Sequence, residues 1–85
     1  MGRRRKLLER ILSGSSDANI PFDQTRTLLS YLGFNERIKG SHHSFWREGM
    51  RERINLQPTG EGKCKPYQVR QMRKTLLEYQ EELGI

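Results

Sequence analysis

The spacing of apolar residues changes period twice along this chain, and those two changes limit what it can fold into more than any single residue does. Apolar residues recur at helical steps as far as Leu32, alternate from Phe34 to Leu56, and return to helical steps from Val69. Leu7, Leu8, Ile11 and Leu12 make adjacent pairs one turn apart, opposed by arginines. That pattern predicts a short helix over 4–12, ended by Ser13-Gly14-Ser15-Ser16-Asp17. Pro21 stands where a second helix starts, Phe22, Leu28, Leu29 and Leu32 give its apolar face, and Gly33 supplies a left-handed stop. A last helix opens at Pro66 and carries Val69, Met72, Leu76, Tyr79 and Leu83 at steps of three and four.

Between the helices, Phe34 and Ile38 alternate with Asn35, Arg37 and Lys39, and Gly40-Ser41 makes a tight connection into a second strand from His42 to Arg47. Glu48-Gly49 is the next turn, and Arg53-Ile54-Asn55-Leu56-Gln57 forms a third strand stopped by Pro58. The predicted order is α-α-β-β-β-α. This is an α+β fold, a three-stranded antiparallel sheet with helices on one face, plus an extra N-terminal helix. With 85 residues the chain makes one compact domain, in which 1–15 are the basic N-terminal helix and 16–85 the remainder.

The sequence holds 16 basic and 10 acidic residues, a formal charge of +6, and its mean hydropathy is −0.89. The positive charge is concentrated in two places. Arg3, Arg4, Arg5, Lys6 and Arg10 face only Glu9 at the N-terminus, and residues 34–65 carry seven basic against four acidic side chains. Such a field suits a polyanion, nucleic acid before membrane. No run approaches the roughly 18 apolar residues of a membrane helix, and no apolar segment follows the basic start as in a secretory signal. The expected address is the cytoplasm, with no membrane partner.

Alternation divides the sheet. If Phe34, Ile38, Phe45, Ile54 and Leu56 face the helices, His43 leans inward with Phe45, while His42, Ser44 and Trp46 point outward with Arg37, Lys39, Arg53, Asn55 and Gln57. Cations, an aromatic ring and amides on one face suit phosphates and unstacked bases. The same residues also fit an ordinary solvated face, with Trp46 capping the edge of the core. His42 is open to two readings, an exposed bystander or a functional base; His43 reads as a hydrogen-bonded, half-buried residue before it reads as a catalyst. Glu48, Glu52 and Glu61 fall in turns without paired geometry. A single cysteine, Cys64, makes no internal disulfide and no structural zinc site, and adjacent strand histidines point apart, so neither metal nor cofactor is expected. Cys64 itself reads as a bystander thiol in a Gly/Lys-rich loop.

Three features together resemble a known family. They are the helix ending in Leu32-Gly33-Phe34, the segment Gly40-Ser41-His42-His43-Ser44-Phe45, which matches G-S-H-x-x-[FY], and Lys65-Pro66 leading into a basic helix. In this order, over roughly residues 20 to 80, they resemble the HicA-like (YcfA-like) toxins of type II toxin–antitoxin systems, the HicA mRNA interferases. Many relatives carry His-Pro after the aromatic, where this chain has Trp46-Arg47-Glu48, and the N-terminal helix lies outside the family's short form. The resemblance implies a fold similar to the double-stranded-RNA-binding domain, ribosome-independent cleavage of mRNA by a histidine, and neutralisation by a HicB-type antitoxin. The family histidine falls on His42, with His43 as the second claimant.

The chemistry that fits is metal-independent attack by the neighbouring 2′-hydroxyl. His42 would act as general base, and Lys39 or Arg37 would steady charge on the phosphate. The expected RNA contacts are Arg37, Lys39, Ser41, Trp46, Arg47, Lys63 and Lys65. The general acid stays open between Lys65, Tyr67 and water. A non-catalytic RNA-binding module with the same fold is the rival reading, and helix-turn-helix DNA binding is disfavoured by the intervening strands.

Overall fold

Each change of apolar period falls at an element boundary. The computed structural model describes residues 2–85. They form α1 (Arg3–Ser13), a 3₁₀ turn (Asp17–Asn19), α2 (Phe22–Tyr31), β1 (Asn35–Lys39), β2 (His42–Trp46), β3 (Ile54–Leu56), α3 (Pro66–Glu78) and α4 (Gln80–Leu83). The expected α+β layout is the one observed, an antiparallel sheet in the order β1-β2-β3 with the helices against it.

The stop after α2 is a Schellman motif. The Phe34 N–H donates to the Leu29 carbonyl and the Gly33 N–H to the Ser30 carbonyl, with Gly33 at φ 94°. The positive φ is what favours glycine there; a Cβ would also come within 2.9 Å of the Arg47 Nε, whose side chain would have to shift. The β1–β2 connection places Gly40 at φ 61° in the first central position, as a two-residue hairpin with glycine there demands. Register follows: Lys39 pairs with His42, Arg37 with Ser44 and Asn35 with Trp46, while Ser44 pairs with Asn55 and Phe45 with Ile54.

One apolar cluster runs from Leu7 to Leu83, with Ile11, Leu29, Phe45, Leu56, Val69 and Leu76 almost wholly buried at its centre. α1 packs on both α2 and α3 through Leu7, Leu8 and Ile11, and burial of each such side chain is worth about 1.5–3 kcal/mol. The basic N-terminal helix is therefore part of the core. Arg73 of α3 fastens it further, donating to both Asp17 carboxylate oxygens at 2.9 and 3.1 Å and to the Ile11 carbonyl at 3.1 Å. The Arg73 hydrogen bonds hold the Asp17 carboxyl below its ordinary range, outweighing burial.

Two expectations need correction. Ile38 occupies an inward register position but is 53 % exposed, because it lies near the end of an edge strand. The last helix breaks at Tyr79, whose hydroxyl hydrogen-bonds Glu52 and holds the turn before β3; α4 resumes after it. Cys64 lies in the expected loop and is fully buried, since an isolated bridge to Pro58 and a bond from its N–H to the Ile20 carbonyl pull the loop into the core. Burial pushes its thiol up to about 11. The 3₁₀ turn at Asp17–Asn19 had no apolar period to announce it.

Candidate nucleic-acid interface

The outward face of the sheet presents three cross-strand rows. Lys39, His42 and Gln57 form the first, Arg37, Ser44 and Asn55 the second, and Asn35 and Trp46 the third, with the Arg53 guanidinium 5.1 Å from the centroid of the Trp46 ring. No carboxylate occupies an outward strand position, so the cations here are not neutralised by their neighbours on the sheet. Trp46 is half-buried and turned outward, where it meets Arg53.

His42 is exposed, and its ring is oriented by a chain of amides that begins in the backbone. The Gln57 N–H can only donate, and it donates to Oε1 of the buried Gln68 at 2.7 Å. This fixes the Gln68 carboxamide, whose Nε2 then donates to the Gln57 Oε1 at 3.2 Å. The Gln57 Nε2 in turn is left facing the His42 Nε2 at 3.4 Å. An amide NH₂ has only hydrogens to offer, so the His42 Nε2 presents its lone pair and the ring proton of the neutral form sits on Nδ1. Gln68 Nε2 also lies 3.3 Å from the Tyr67 hydroxyl, which brings the first turn of α3 to the edge of this row. The bond from the Lys65 N–H to the Gln57 carbonyl, 3.3 Å, puts Lys65 beside it.

His43 has a different environment. It is 8 % exposed, packs edge-on against Phe22 at 4.7 Å between centroids, and its Nδ1 lies 2.6 Å from the Glu36 Oε2. Arg26 of α2 grips the same carboxylate at 2.7 and 3.2 Å. Burial pushes the Glu36 carboxyl up, but the hydrogen bonds from Arg26 and His43 outweigh it and hold it below its ordinary value. This cluster ties α2 to β1 and β2 on the inward side, so the two adjacent histidines serve opposite faces.

The structure brings Lys39, Arg37, His42 and Trp46 onto one face, with Lys65 at its edge and Ser41 exposed in the hairpin turn beside His42. It does not bring Arg47 and Lys63 there. Arg47 turns to the other side and donates to the Glu82 carbonyl at 3.2 Å; Lys63 donates to the Asn19 Oδ1 at 2.8 Å, at the junction before α2. Three residues were missed by sequence reasoning. Glu36 had a readable signal, an acid at an inward strand position one alternation step from Ile38, which faces the inward His43 across the ladder. Arg26 and Gln68 had none, because their partners lie 10 and 11 residues away on other elements.

Among the described residues no helix is long and apolar enough to cross a membrane, and no group of three or more His, Cys, Asp or Glu could hold a metal ion. No family model matches the chain, and neither a curated protein nor a solved structure matches it.

Proposed function

We propose that this chain is a metal-independent endoribonuclease, an mRNA interferase acting as the HicA-like toxin of a type II toxin–antitoxin pair in the cytoplasm. A HicB-type antitoxin would hold it inactive. The observation that carries the reading is the row Lys39–His42–Gln57, an exposed histidine with its Nε2 lone pair presented beside a cation, on a face without carboxylates. The motif order around Gly40-Ser41-His42 supports the family, and the fold agrees with the one that the resemblance implies.

In this mechanism a 2′-hydroxyl displaces the long Gln57 contact and gives its proton to the His42 Nε2. The 2′ oxygen attacks phosphorus, the bond to the 5′ oxygen breaks, and the leaving oxygen takes a proton from Lys65, Tyr67 or water. A 2′,3′-cyclic phosphate and a 5′-hydroxyl result. Lys39 faces the charge that builds on the phosphate oxygens, with Arg37 next along the strand. DNA lacks the nucleophile and is not cut.

The test is His42→Ala. Loss of RNA cleavage with an unchanged melting curve is expected, since an exposed strand side chain adds little packing. Cleavage at the wild-type rate overturns the catalytic role of His42. RNA bound by the wild type but never cut would assign the face to a non-catalytic RNA-binding module.

A further inference from the structure

A groove of about 660 Å³ lies between the start of α1, the end of α2 and the last residues of the chain. Arg4, Arg5 and Arg47 line it together with Tyr31, and no Asp or Glu side chain does. The Arg4 guanidinium sits 4.0 Å from the centroid of the Tyr31 ring, and that ring is 65 % exposed. We propose that this groove is a second RNA site, which takes backbone phosphate on Arg4 and Arg47 and a base against Tyr31.

Helix electrostatics do not favour the run of cations at the start of α1. The first turn of α1 carries four successive cations, Arg3 to Lys6, and no acid, which opposes the helix macrodipole. The Arg5–Glu9 pair at 3.4 Å is exposed on both sides and contributes little. An exposed aromatic beside an arginine, in a groove lined by no Asp or Glu side chain, fits single-stranded nucleic acid, whose bases stack while its phosphates meet cations. The groove also continues the sheet face. Trp46 and Arg47 are consecutive but turn to opposite sides, and Trp46 lies about 13 Å along β2 from His42 at the usual strand rise. A strand lying from His42 to Trp46 therefore reaches Arg47 by turning the end of β2.

This inference rests on the RNA reading above, and its test separates the two. Labelled single-stranded RNA of roughly 5 and roughly 16 nucleotides, spanning the range of single-module sites, is titrated against the full chain carrying His42→Ala, so that the RNA stays whole. Adding Arg4→Glu and Tyr31→Ala, both on exposed side chains, should weaken the longer RNA about tenfold and leave the shorter one unchanged. The salt slope on the longer RNA should fall by about 0.7 per phosphate lost. Unchanged affinity for the longer RNA, or equal loss on both lengths, overturns the groove site. If Lys39→Ala still weakens both RNAs in that case, the sheet-face reading survives alone. Absence of any RNA affinity in the unsubstituted chain overturns both. A poly-glutamate peptide that binds and loses as much affinity in the variant would assign the groove to an acidic partner protein and overturn the RNA assignment.

Discussion

The backbone N–H of Gln57 donates to the Oε1 of Gln68 at 2.7 Å, and through the Gln68 and Gln57 carboxamides this bond turns the Gln57 Nε2 toward the His42 Nε2. A main-chain group cannot flip, so the orientation passes outward through two carboxamides to the imidazole. The buried Gln68 thereby acts on the exposed face as a positioning residue.

Gln68→Glu keeps an acceptor for the Gln57 N–H but removes the donor to the Gln57 Oε1. Because the new carboxyl is buried and faces the Gln57 Oε1, we expect a lower melting temperature, unchanged RNA affinity, and a fall in kcat of about tenfold from loss of orientation. Gln68→Leu removes both and leaves the Gln57 N–H unpaired, which should also cost about 1–3 kcal/mol. Single-turnover cleavage beside a denaturant titration separates orientation from stability, and wild-type kcat in both variants would dismiss the relay.

Glu36 links α2 to the sheet, and its carboxyl is held below its ordinary 4.5 in the folded chain. A depressed carboxyl contributes stability that is fully present above the unfolded value and is lost as pH falls through the folded one. The chain should therefore lose stability on acidification below about pH 4.5, with Asp17 adding to the same limb. Glu36→Gln should cost about 2 kcal/mol at neutral pH, the scale of hydrogen bonds to a charged group, and flatten that limb. Melting temperatures from pH 7 down to the acid transition measure both effects; a parallel curve for the variant would contradict them.

Cys64 should resist alkylating reagents in the folded chain, because it is fully buried and its thiol is pushed up to about 11. Labelling should track global unfolding in denaturant. Rapid modification of native protein would mean that the loop before α3 opens locally.

RNA affinity should fall steeply with salt. Lys39→Ala should lower the slope of log affinity against log salt by about 0.7, one phosphate on a single strand, and Lys63→Ala should leave it unchanged because Lys63 is engaged with Asn19. Binding titrations at three salt concentrations check both. An equal drop for the two lysines would place the RNA path at the α2 junction as well.

Element order, hairpin position and the division of the two histidines between faces were legible in the sequence, because each rests on a local rule. Period two sends His42 and His43 to opposite sides, Gly40 permits the hairpin, and Gly33 ends α2 wherever the rest of the chain lies. Most of the outward face followed from the same alternation. Arg47 and Lys63 did not, since a charge count shows that a cation exists without showing what it touches.

Distance along the chain marks the division. The sequence by itself determined the elements, their order and which strand residues share a face, for those follow from backbone periodicity and from residues a few positions apart. Only the tertiary structure decided that Cys64 is core, that Glu36 answers both Arg26 and His43, and that Gln68 orients His42 through Gln57. These depend on where separate elements dock. Docking is set by the summed burial of Leu7, Ile11, Leu29, Leu56, Val69 and Leu76, and no local pattern encodes that sum.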